Sequence, residues 1–416
     1  MATTLVFGEQ VSVIAALGFT VREFTLNSSQ LNGDDVLDGT LEGLDIAPYV
    51  QSLTISRGRS DQFSSFRAGT CTIVLNNNDR RFDPINESSP YWNPTTNSSG
   101  VTPRRRVEIA SGGNTPLFTG RITDIDIDYD HNLSTCTISA SDDFVLLAST
   151  FTGSDITPPA ELSGARVTSI LDLPEVNFPA ATRSIDTGVA ALGAYQIDAN
   201  TNAAAYLQRV AEAEQGLFYV AADGTLTFTD RVTSSFASPV ATFTDTGSNI
   251  PYIGLATIYG QEFLYNRVQT QTETGAVQTA DDATSQTEFG VSTLALDGLL
   301  LASDSAALTL ADKLLSLYKQ PEYRFDDLQV LASALSSGNR NLLMSLDMGD
   351  VITVTRTFST GSPASVSEDY AIERITHQIT PDRHTVTLGL YVADLVNAFI
   401  LNDAVFGRLD EQNAVT

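Results

Sequence analysis

The stretch that decides the predicted fold is Gly120-Arg121-Ile122-Thr123-Asp124-Ile125-Asp126-Ile127-Asp128-Tyr129-Asp130, in which acidic and apolar residues alternate. Successive side chains of a β-strand point to opposite faces, so this alternation predicts one face of aspartates and one of apolar residues. After a short polar interval, Thr135-Cys136-Thr137-Ile138 alternates again. The pattern therefore predicts a β-hairpin with one face in a hydrophobic core and the other in water.

Short strand-like runs separated by turn-forming residues continue on both sides of this hairpin. Residues 1–150 are predicted to form a first antiparallel β-barrel, and residues 232–395 a second β-barrel with one inserted helix. Between them, residues 151–231 combine helical spacing with an Asp223-Gly224 turn signal, which predicts a small α+β module. Residues 396–416 are assigned to a C-terminal tail. The predicted fold class is mainly β with α+β insertions: two tube-like antiparallel β-barrel domains flank the middle module.

Three helices are predicted inside this framework. One begins at Ser163, a second is capped by Thr201, and the inserted helix is capped by Ser303 or Asp304. Apolar residues at helical spacing follow each of these starting points, so each helix is expected to pack one face against a core.

A weak internal repeat links the two strand-rich regions. Arg121-Ile122-Thr123 leads into the hairpin quoted above, and Arg374-Ile375-Thr376 leads into a similar hairpin at an offset of 374 − 121 = 253. One match of this kind also arises by chance between two β-hairpins. A true duplication would give each chain two similar barrels, and three such chains would form a ring of six similar units.

The composition is strongly acidic, with 50 Asp and Glu against 23 Lys and Arg and a formal net charge of −27. Lys313 and Lys319 are the only lysines. This charge disfavours a surface that binds nucleic acid or anionic membrane, but it is compatible with a surface past which DNA must slide without binding. No apolar run reaches the ~20 residues that cross a bilayer, so no membrane-spanning segment is predicted. Cys71 and Cys136 alternate with apolar residues and are predicted to lie in the core.

Two charged clusters are the candidate functional sites. The first shares one strand face and consists of Asp124, Asp126, Asp128 and Asp130. Like charges in a row repel one another, so we predict that this face lines a negatively charged channel or lies at an interface, with a solvated face as the alternative. We predict that the second cluster forms ion pairs with carboxylates of a neighbouring domain or subunit. It consists of Arg104, Arg105 and Arg106.

No catalytic, cofactor-binding or metal-binding site is predicted. Neither a Gly-x-Ser-x-Gly nor a Gly-x-x-x-x-Gly-Lys motif occurs, so the sequence indicates neither a hydrolase nor a nucleotide site. The run from Asp124 resembles the start of a calcium loop, but Tyr129 and Thr135 stand where that loop needs Gly and Glu. His377 and His384 flank a hairpin turn without further ligands at metal-binding spacing, so polar turn residues are the preferred interpretation. We expect neither enzyme activity nor a cofactor.

A series of motifs resembles the minor tail proteins, or tail-hub proteins, of long-tailed phages. The resemblance covers most of the chain and is least distinctive over residues 150–230. It rests on ISRGR (55–59), FRAGT (66–70), LN (75–76), NDRRFDP (78–84), SPY (89–91), PLFTGRI (116–122), YNRV (265–268), FG (289–290), LLSLY (314–318) and LDMGDV (346–351).

This resemblance implies a structural virion protein of the phage tail tip or baseplate, a homotrimer whose two barrels per chain form a pseudo-sixfold ring. Such a hub joins the sixfold tail tube to the threefold tip and forms part of the DNA ejection channel. The implied partners are other copies of the chain, the distal tail protein or tail tube, the tape measure protein, and a tip fibre or spike protein. Genome DNA is expected to pass through without specific binding.

Two other functions stay open from the residues alone. An exposed cluster of Trp and Tyr would favour a receptor- or carbohydrate-binding tail-tip protein, but Trp92 is the only tryptophan. A cell-wall hydrolase would need a pair of carboxylates, and no pattern singles out one pair among the 50 acidic residues. The chain also lacks an obvious lysozyme or peptidase domain of the kind that some tail-tip proteins carry.

Overall fold

The computed structural model confirms a mainly β fold with a large sheet and few helices. The predicted C-terminal tail, residues 396–416, lies outside the described residues. The residues that the structure describes are 6–7, 10–19, 43–60, 63–112, 114–130, 133–231, 238–247 and 249–392.

In the described part of the first region, the regular elements before residue 144 are strands apart from one 3-10 turn, as the alternating runs predict. Buried residues alternate with accessible ones along most of them, so each strand turns one face to the core. The strands are β1 (Val11–Ala15), β2 (Leu44–Asp45), β3 (Val50–Gly58), β4 (Arg67–Asn76), β5 (Trp92–Asn93), β6 (Ser98–Ser99), β7 (Arg106–Ser111), β8 (Thr115–Tyr129) and β9 (Ser134–Ser141).

Six strand positions close the first barrel. β2 and β3 form one bent strand, interrupted by a 3-10 turn at Ala47–Tyr49, and its two halves pair with β1 and β4. From β4 the pairing continues through β9, β8 and β7 and returns to β1. All of these pairings are antiparallel, and their apolar faces enclose one hydrophobic core.

The middle region begins after β9 and contains the two predicted helices. The second of them is capped by the side chain of Asn202, one residue after the predicted Thr201. Asp223-Gly224 forms the predicted turn between two paired strands. The elements are α1 (Phe144–Ala148), β10 (Glu161–Leu162), α2 (Ser163–Leu171), β11 (Arg183–Ile185), β12 (Ala191–Leu192), α3 (Ala203–Glu214), β13 (Leu217–Val220) and β14 (Leu226–Thr229).

The third region returns to strands, and its described residues include three α-helices. Ser303 caps the predicted inserted helix through its side chain, which accepts a hydrogen bond from the amide of Ala306. The elements are β15 (Ala241–Thr244), β16 (Ile250–Pro251), β17 (Gly254–Tyr259), β18 (Arg267–Thr272), β19 (Gln278–Asp281), α4 (Ala283–Phe289), β20 (Thr293–Leu299), α5 (Asp304–Tyr318), β21 (Tyr323–Leu331), α6 (Ser337–Met344), β22 (Val351–Thr357), β23 (Ser365–Thr380) and β24 (Arg383–Val392).

The second barrel has the same strand order as the first. β16 and β17 follow each other along the chain and pair with β15 and β21, respectively. From β21 the pairing continues through β24, β23 and β22 and returns to β15. One strand differs from the prediction of an antiparallel barrel: β15 runs parallel to both of its neighbours, because the chain enters this strand position from the opposite end.

Two local details show that the barrels repeat each other in register. A β-bulge skips Thr123 in the pairing of β8 with β9, and a bulge skips Glu373 in the pairing of β23 with β24. These two positions set the offset between the barrels at 373 − 123 = 250. The match of Arg121 with Arg374, at 374 − 121 = 253, is therefore out of register by three, although the returning strands match correctly.

One long strand joins the two barrels. Along one edge, the first half of β23 pairs with β22, and its second half, residues 374–379, pairs antiparallel with residues 53–58 of β3. We call this second pairing the intrachain seam. It makes one continuous sheet from both barrels, and their apolar residues form a single hydrophobic core.

A second hydrophobic core lies in the middle module and includes residues that are distant in sequence. Helices α2 and α3 share this core with β18, β20 and α5. Main-chain contacts support the grouping, since the amide of Gly193 donates to the carbonyl of Leu300 at 2.9 Å. The segment from β18 to α5 therefore packs with the middle module and not in the second barrel, to which residues 232–395 were predicted to belong.

Candidate functional site

The predicted acidic stretch lies on β8, at the hairpin end of the strand. Ile125 and Ile127 are half-buried and pack against the barrel core. The side chains that alternate with these isoleucines point away from the core and are exposed: Asp124, Asp126 and Asp128. Asp130 lies just beyond the end of β8 and is also exposed. The predicted division into a wet face and a core face is therefore observed.

A tyrosine hydroxyl anchors the end of this strand. Tyr129 donates a 2.7 Å hydrogen bond to Oδ2 of Asp83, and Arg80 donates to the same oxygen at 2.6 Å. The hydrogen bond to Asp83 raises the pKa of Tyr129. Tyr129 nevertheless remains 58% exposed, so the hydrogen bond holds its hydroxyl in place while much of the residue stays accessible to solvent.

The wet face of β8 belongs to a polar surface that crosses both barrels. Eight strands lie side by side in the order β8, β9, β4, β3, β23, β24, β21 and β17. One row of paired residues across seven of these strands runs Ser141, Thr70, Ser56, Thr376, Thr387, Gln329 and Gly254. We call this surface the polar face. Hydroxyl side chains are frequent along this row, which is partly or fully accessible to solvent except at the buried Ser141, and the hydrophobic core lies behind it.

The arginine cluster lies at the start of β7, where Arg104 and Arg105 precede the strand and Arg106 is its first residue. Nη1 of Arg105 donates to the carbonyl of Gly18 at 3.3 Å, and its guanidinium lies 5.4 Å from the ring centre of Phe19. Arg106 pairs with Glu108 of the same strand at 2.6 Å. The observed ion pair is therefore local. Pairing of Arg104, Arg105 and Arg106 with another subunit stays a prediction.

His377 and His384 form a buried pair inside the β23–β24 hairpin, which differs from the expected polar turn residues. Their Nδ1 and Nε2 atoms lie 3.0 Å apart, and both side chains are almost fully buried. Burial lowers the pKa of both rings, and for His384, with Arg340 nearby, the pKa falls to about 4. Both are therefore neutral at pH 7, and one ring donates to the other.

Two arginines at the intrachain seam were not identified from the sequence. Nη1 of Arg57 lies 2.8 Å from Oδ1 of Asp347, and the arginine side chain is 3% exposed. Arg59 contacts Oε1 of Glu373 through Nε and Nη2 at 3.1 and 2.7 Å. The partners of each pair are distant in sequence, so no local pattern reveals them. The Arg59 pair joins the residue after β3 to β23, and the Arg57 pair joins β3 to the turn before β22.

Residues 124–129 form a strand and not a loop, so the calcium-loop alternative is wrong. Within the described part of the chain, no group of three or more His, Cys, Asp or Glu side chains could hold a metal ion. In that same part, no helix is long and apolar enough to cross a membrane. The predicted core cysteines are confirmed: Cys71 and Cys136 are buried and unlinked.

No protein-family model matches the chain, and no curated protein matches it. Solved structures do match. A tail protein from Neisseria meningitidis MC58 has a TM-score of 0.60 at 11% identity, over 93% of this chain and 97% of the other. The 43 kDa tail protein of prophage MuSo2 from Shewanella oneidensis has a TM-score of 0.58 at 13% identity, over 93% of this chain and 99% of the other. Over nearly its whole length, the chain therefore has the fold of these tail proteins.

Proposed function

We propose that the chain is a structural hub protein at the tail tip or baseplate of a phage virion, assembled as a homotrimeric ring. One observation carries this proposal: each chain holds two barrels of the same strand order, joined edge to edge by the intrachain seam. A threefold axis would therefore arrange six similar units with pseudo-sixfold symmetry. The likeness in fold to solved tail proteins supports the same role.

A ring with these two symmetries is suited to join a sixfold assembly to a threefold one. Six similar units on one side would fit a sixfold tail tube or distal tail protein, and the threefold relation of the chains would fit a tip fibre or spike protein. The tape measure protein and then the genome would pass through the centre. We assign no enzymatic step to the chain, since the proposed role needs only shape, charge and stable interfaces.

We propose further that the polar face lines the bore. The barrel cores lie behind this face, so a ring with the polar face inward keeps the bulk of all six barrels outside. The acidic residues of each chain would then recur three times around the opening: Asp124, Asp126, Asp128 and Asp130. Their charge repels phosphates over a Debye length of about 8 Å at physiological salt, which keeps DNA from sticking.

Mass photometry and negative-stain microscopy of the purified chain test the proposal. The expected result is a particle of three times the chain mass with a central opening. A stable monomer without rings at micromolar concentration would contradict the hub. Zymography on host cell walls tests the purely structural role, and clearing of the substrate would overturn it.

A further inference from the structure

A cleft lies between the second barrel and the middle module. One wall comes from β21, β23 and β24, and the other from the C-terminal part of α5 and the residues that follow it. Two hollows of about 330 and 160 Å³ share Arg59, Tyr318 and Tyr391 as lining residues, so they form one cleft. The larger hollow has a volume typical of small-molecule sites, which range from roughly 300 to 1,000 Å³. We call the two hollows together the interdomain cleft.

Aromatic rings from distant parts of the chain meet at this cleft. The ring centre of Phe63 lies 5.2 Å from that of Tyr318 and 5.8 Å from that of Phe263. Tyr391 of β24 lines the cleft from the strand wall. All four residues are half-buried, so part of each remains accessible. Aromatic surface of this kind packs against the apolar C–H surface of a ligand.

Three arginines line the larger hollow, and each is held in place by a carboxylate. The ion pairs are Arg59–Glu373 at 2.7 Å, Arg324–Glu262 at 3.3 Å and Arg374–Asp327 at 2.7 Å. The guanidinium of Arg324 also lies 3.9 Å from the ring centre of Phe263. A guanidinium carries five N–H donors, more than one such ion pair uses. The cleft therefore presents hydrogen-bond donors whose positions are already fixed.

Two further carboxylates line the same hollow. Asp326 lies on β21 and is half-buried, and Glu322 lies just before this strand. Within the described part of the chain, neither side chain accepts a hydrogen bond or forms an ion pair. Desolvation, with Asp327 nearby, raises the pKa of Asp326. Each carboxylate is therefore an acceptor that a donor group on a ligand would satisfy.

The balance of charge in the cleft separates the ligand classes. The whole chain has 50 acidic against 23 basic residues, whereas four carboxylates and three guanidinium groups line the larger hollow. The two unpaired carboxylates would repel an anionic ligand, and the three guanidinium groups would repel a cationic one. A neutral ligand with many hydroxyl groups avoids both costs, because each hydroxyl donates one hydrogen bond and accepts others.

We propose that the interdomain cleft binds a neutral oligosaccharide. The arginine N–H groups donate to its oxygen atoms, and Asp326 and Glu322 accept from its hydroxyl groups. Tyr318 and Tyr391 pack against the apolar face of a sugar ring. The smaller hollow extends the cleft towards α3, so the ligand spans more than one sugar unit. This site goes beyond the proposed hub role and does not depend on the formation of a ring.

An array of neutral, anionic and cationic oligosaccharides from bacterial surfaces tests the ligand class. The purified chain should bind a subset of the neutral glycans. This binding should persist when NaCl is raised from about 0.1 to 1 M, because screening over a Debye length that falls from about 10 to 3 Å weakens charged contacts only. Binding only to charged glycans, binding that salt abolishes, or binding to no glycan of the array would overturn the proposal.

A pair of double variants tests the position of the site. Glu322→Ala/Asp326→Ala removes the two unpaired acceptors, so the affinity for the neutral glycan that binds best on the array should fall about tenfold or more in isothermal titration. The matched control is Glu288→Ala/Asp297→Ala. It makes the same change in residue type and charge at two exposed positions that do not line the cleft. The control should bind as tightly as the unmodified chain.

Thermal unfolding confirms that both variants are folded before they are compared. Unchanged affinity in the cleft variant, or an equal loss in both variants, would overturn this position of the site. Ring formation is measured separately by mass photometry, so a failure of glycan binding and a failure of the hub remain distinguishable.

Hydrogen exchange of the unmodified chain gives a measurement that does not depend on a variant. The bound glycan should slow amide exchange in residues 316–326 and 389–391, which belong to the two walls of the cleft. Exchange in residues 124–129 should stay unchanged, since they do not line the cleft. A glycan that binds without slowing exchange in either wall would contradict the proposal.

Discussion

Arg104 adopts a left-handed backbone conformation with φ of +69°, and its counterpart in the second barrel is Gly349, with φ of +88°. Both residues donate their amide to the second strand that follows them: Arg104 to the carbonyl of Ile122 in β8 at 2.7 Å, and Gly349 to that of Ile372 in β23 at 2.8 Å. The two accepting residues are related by the barrel offset, 372 − 122 = 250. The arginine cluster therefore lies at a turn that is present in both barrels. In the first barrel, the left-handed position of this turn is occupied by arginine, a residue type that disfavours the conformation.

Acid is expected to destabilise the protein through the histidine pair. The pKa of His384 is about 4 in the fold and ordinary, near 6.5, in the unfolded chain. Between these values the unfolded state binds a proton that the folded state does not. The free energy of unfolding should therefore fall as the pH drops from about 6.5 towards 4, by up to roughly 3 kcal/mol. Urea unfolding across this pH range measures the effect.

His384→Gln separates this contribution from that of the carboxylates, which titrate over part of the same range. The variant lacks the titrating ring, so its stability should change less with pH than that of the unmodified chain. Identical slopes in the two proteins would show that His384 does not cause the acid sensitivity.

At the scale of elements, the intrachain seam depends on a close backbone approach. Gly58 ends β3 with φ of +114°, and a Cβ atom there would lie 2.0 Å from the carbonyl oxygen of Glu373. Gly58→Ala should therefore push β3 away from β23 and lower the free energy of unfolding by about 2 kcal/mol or more. Thermal or urea unfolding measures this loss.

Gly290→Ala is the matched control for that substitution. Gly290 also has a positive φ, +79°, but an added Cβ would meet no atom within 4 Å. Gly290→Ala should show the conformational cost without the clash, so it should lower the free energy of unfolding clearly less than Gly58→Ala does. If the two variants lost the same stability, the close contact at the seam would not be the cause.

At the scale of the whole molecule, the proposed bore predicts a kinetic effect of charge. Changing Asp124, Asp126, Asp128 and Asp130 together to Asn removes the acidic stripe but keeps the backbone and nearly the same volume. Tail assembly should stay normal, while genome delivery should slow, because phosphates are repelled less along the wall. Particle counts and the rate of DNA ejection measure the two effects. Failed assembly would place these side chains at an interface.

Local patterns in the sequence determined much of this architecture. The alternation in residues 124–129 assigned the aspartates to the wet face, and Ser303 or Asp304 was predicted to cap a helix that Ser303 does cap. These features could be predicted because strand alternation and helix capping each involve only a few neighbouring residues. The burial of Cys71 and Cys136 followed from the same reasoning.

The tertiary structure alone decided which edges meet. The seam between β3 and β23, the contacts of Arg57 with Asp347 and the packing of α5 on the middle module join residues far apart in sequence. An alternation with a period of two indicates which face of a strand is buried, but it does not indicate which strand lies beside it. The neighbours follow from how the whole chain closes its barrels.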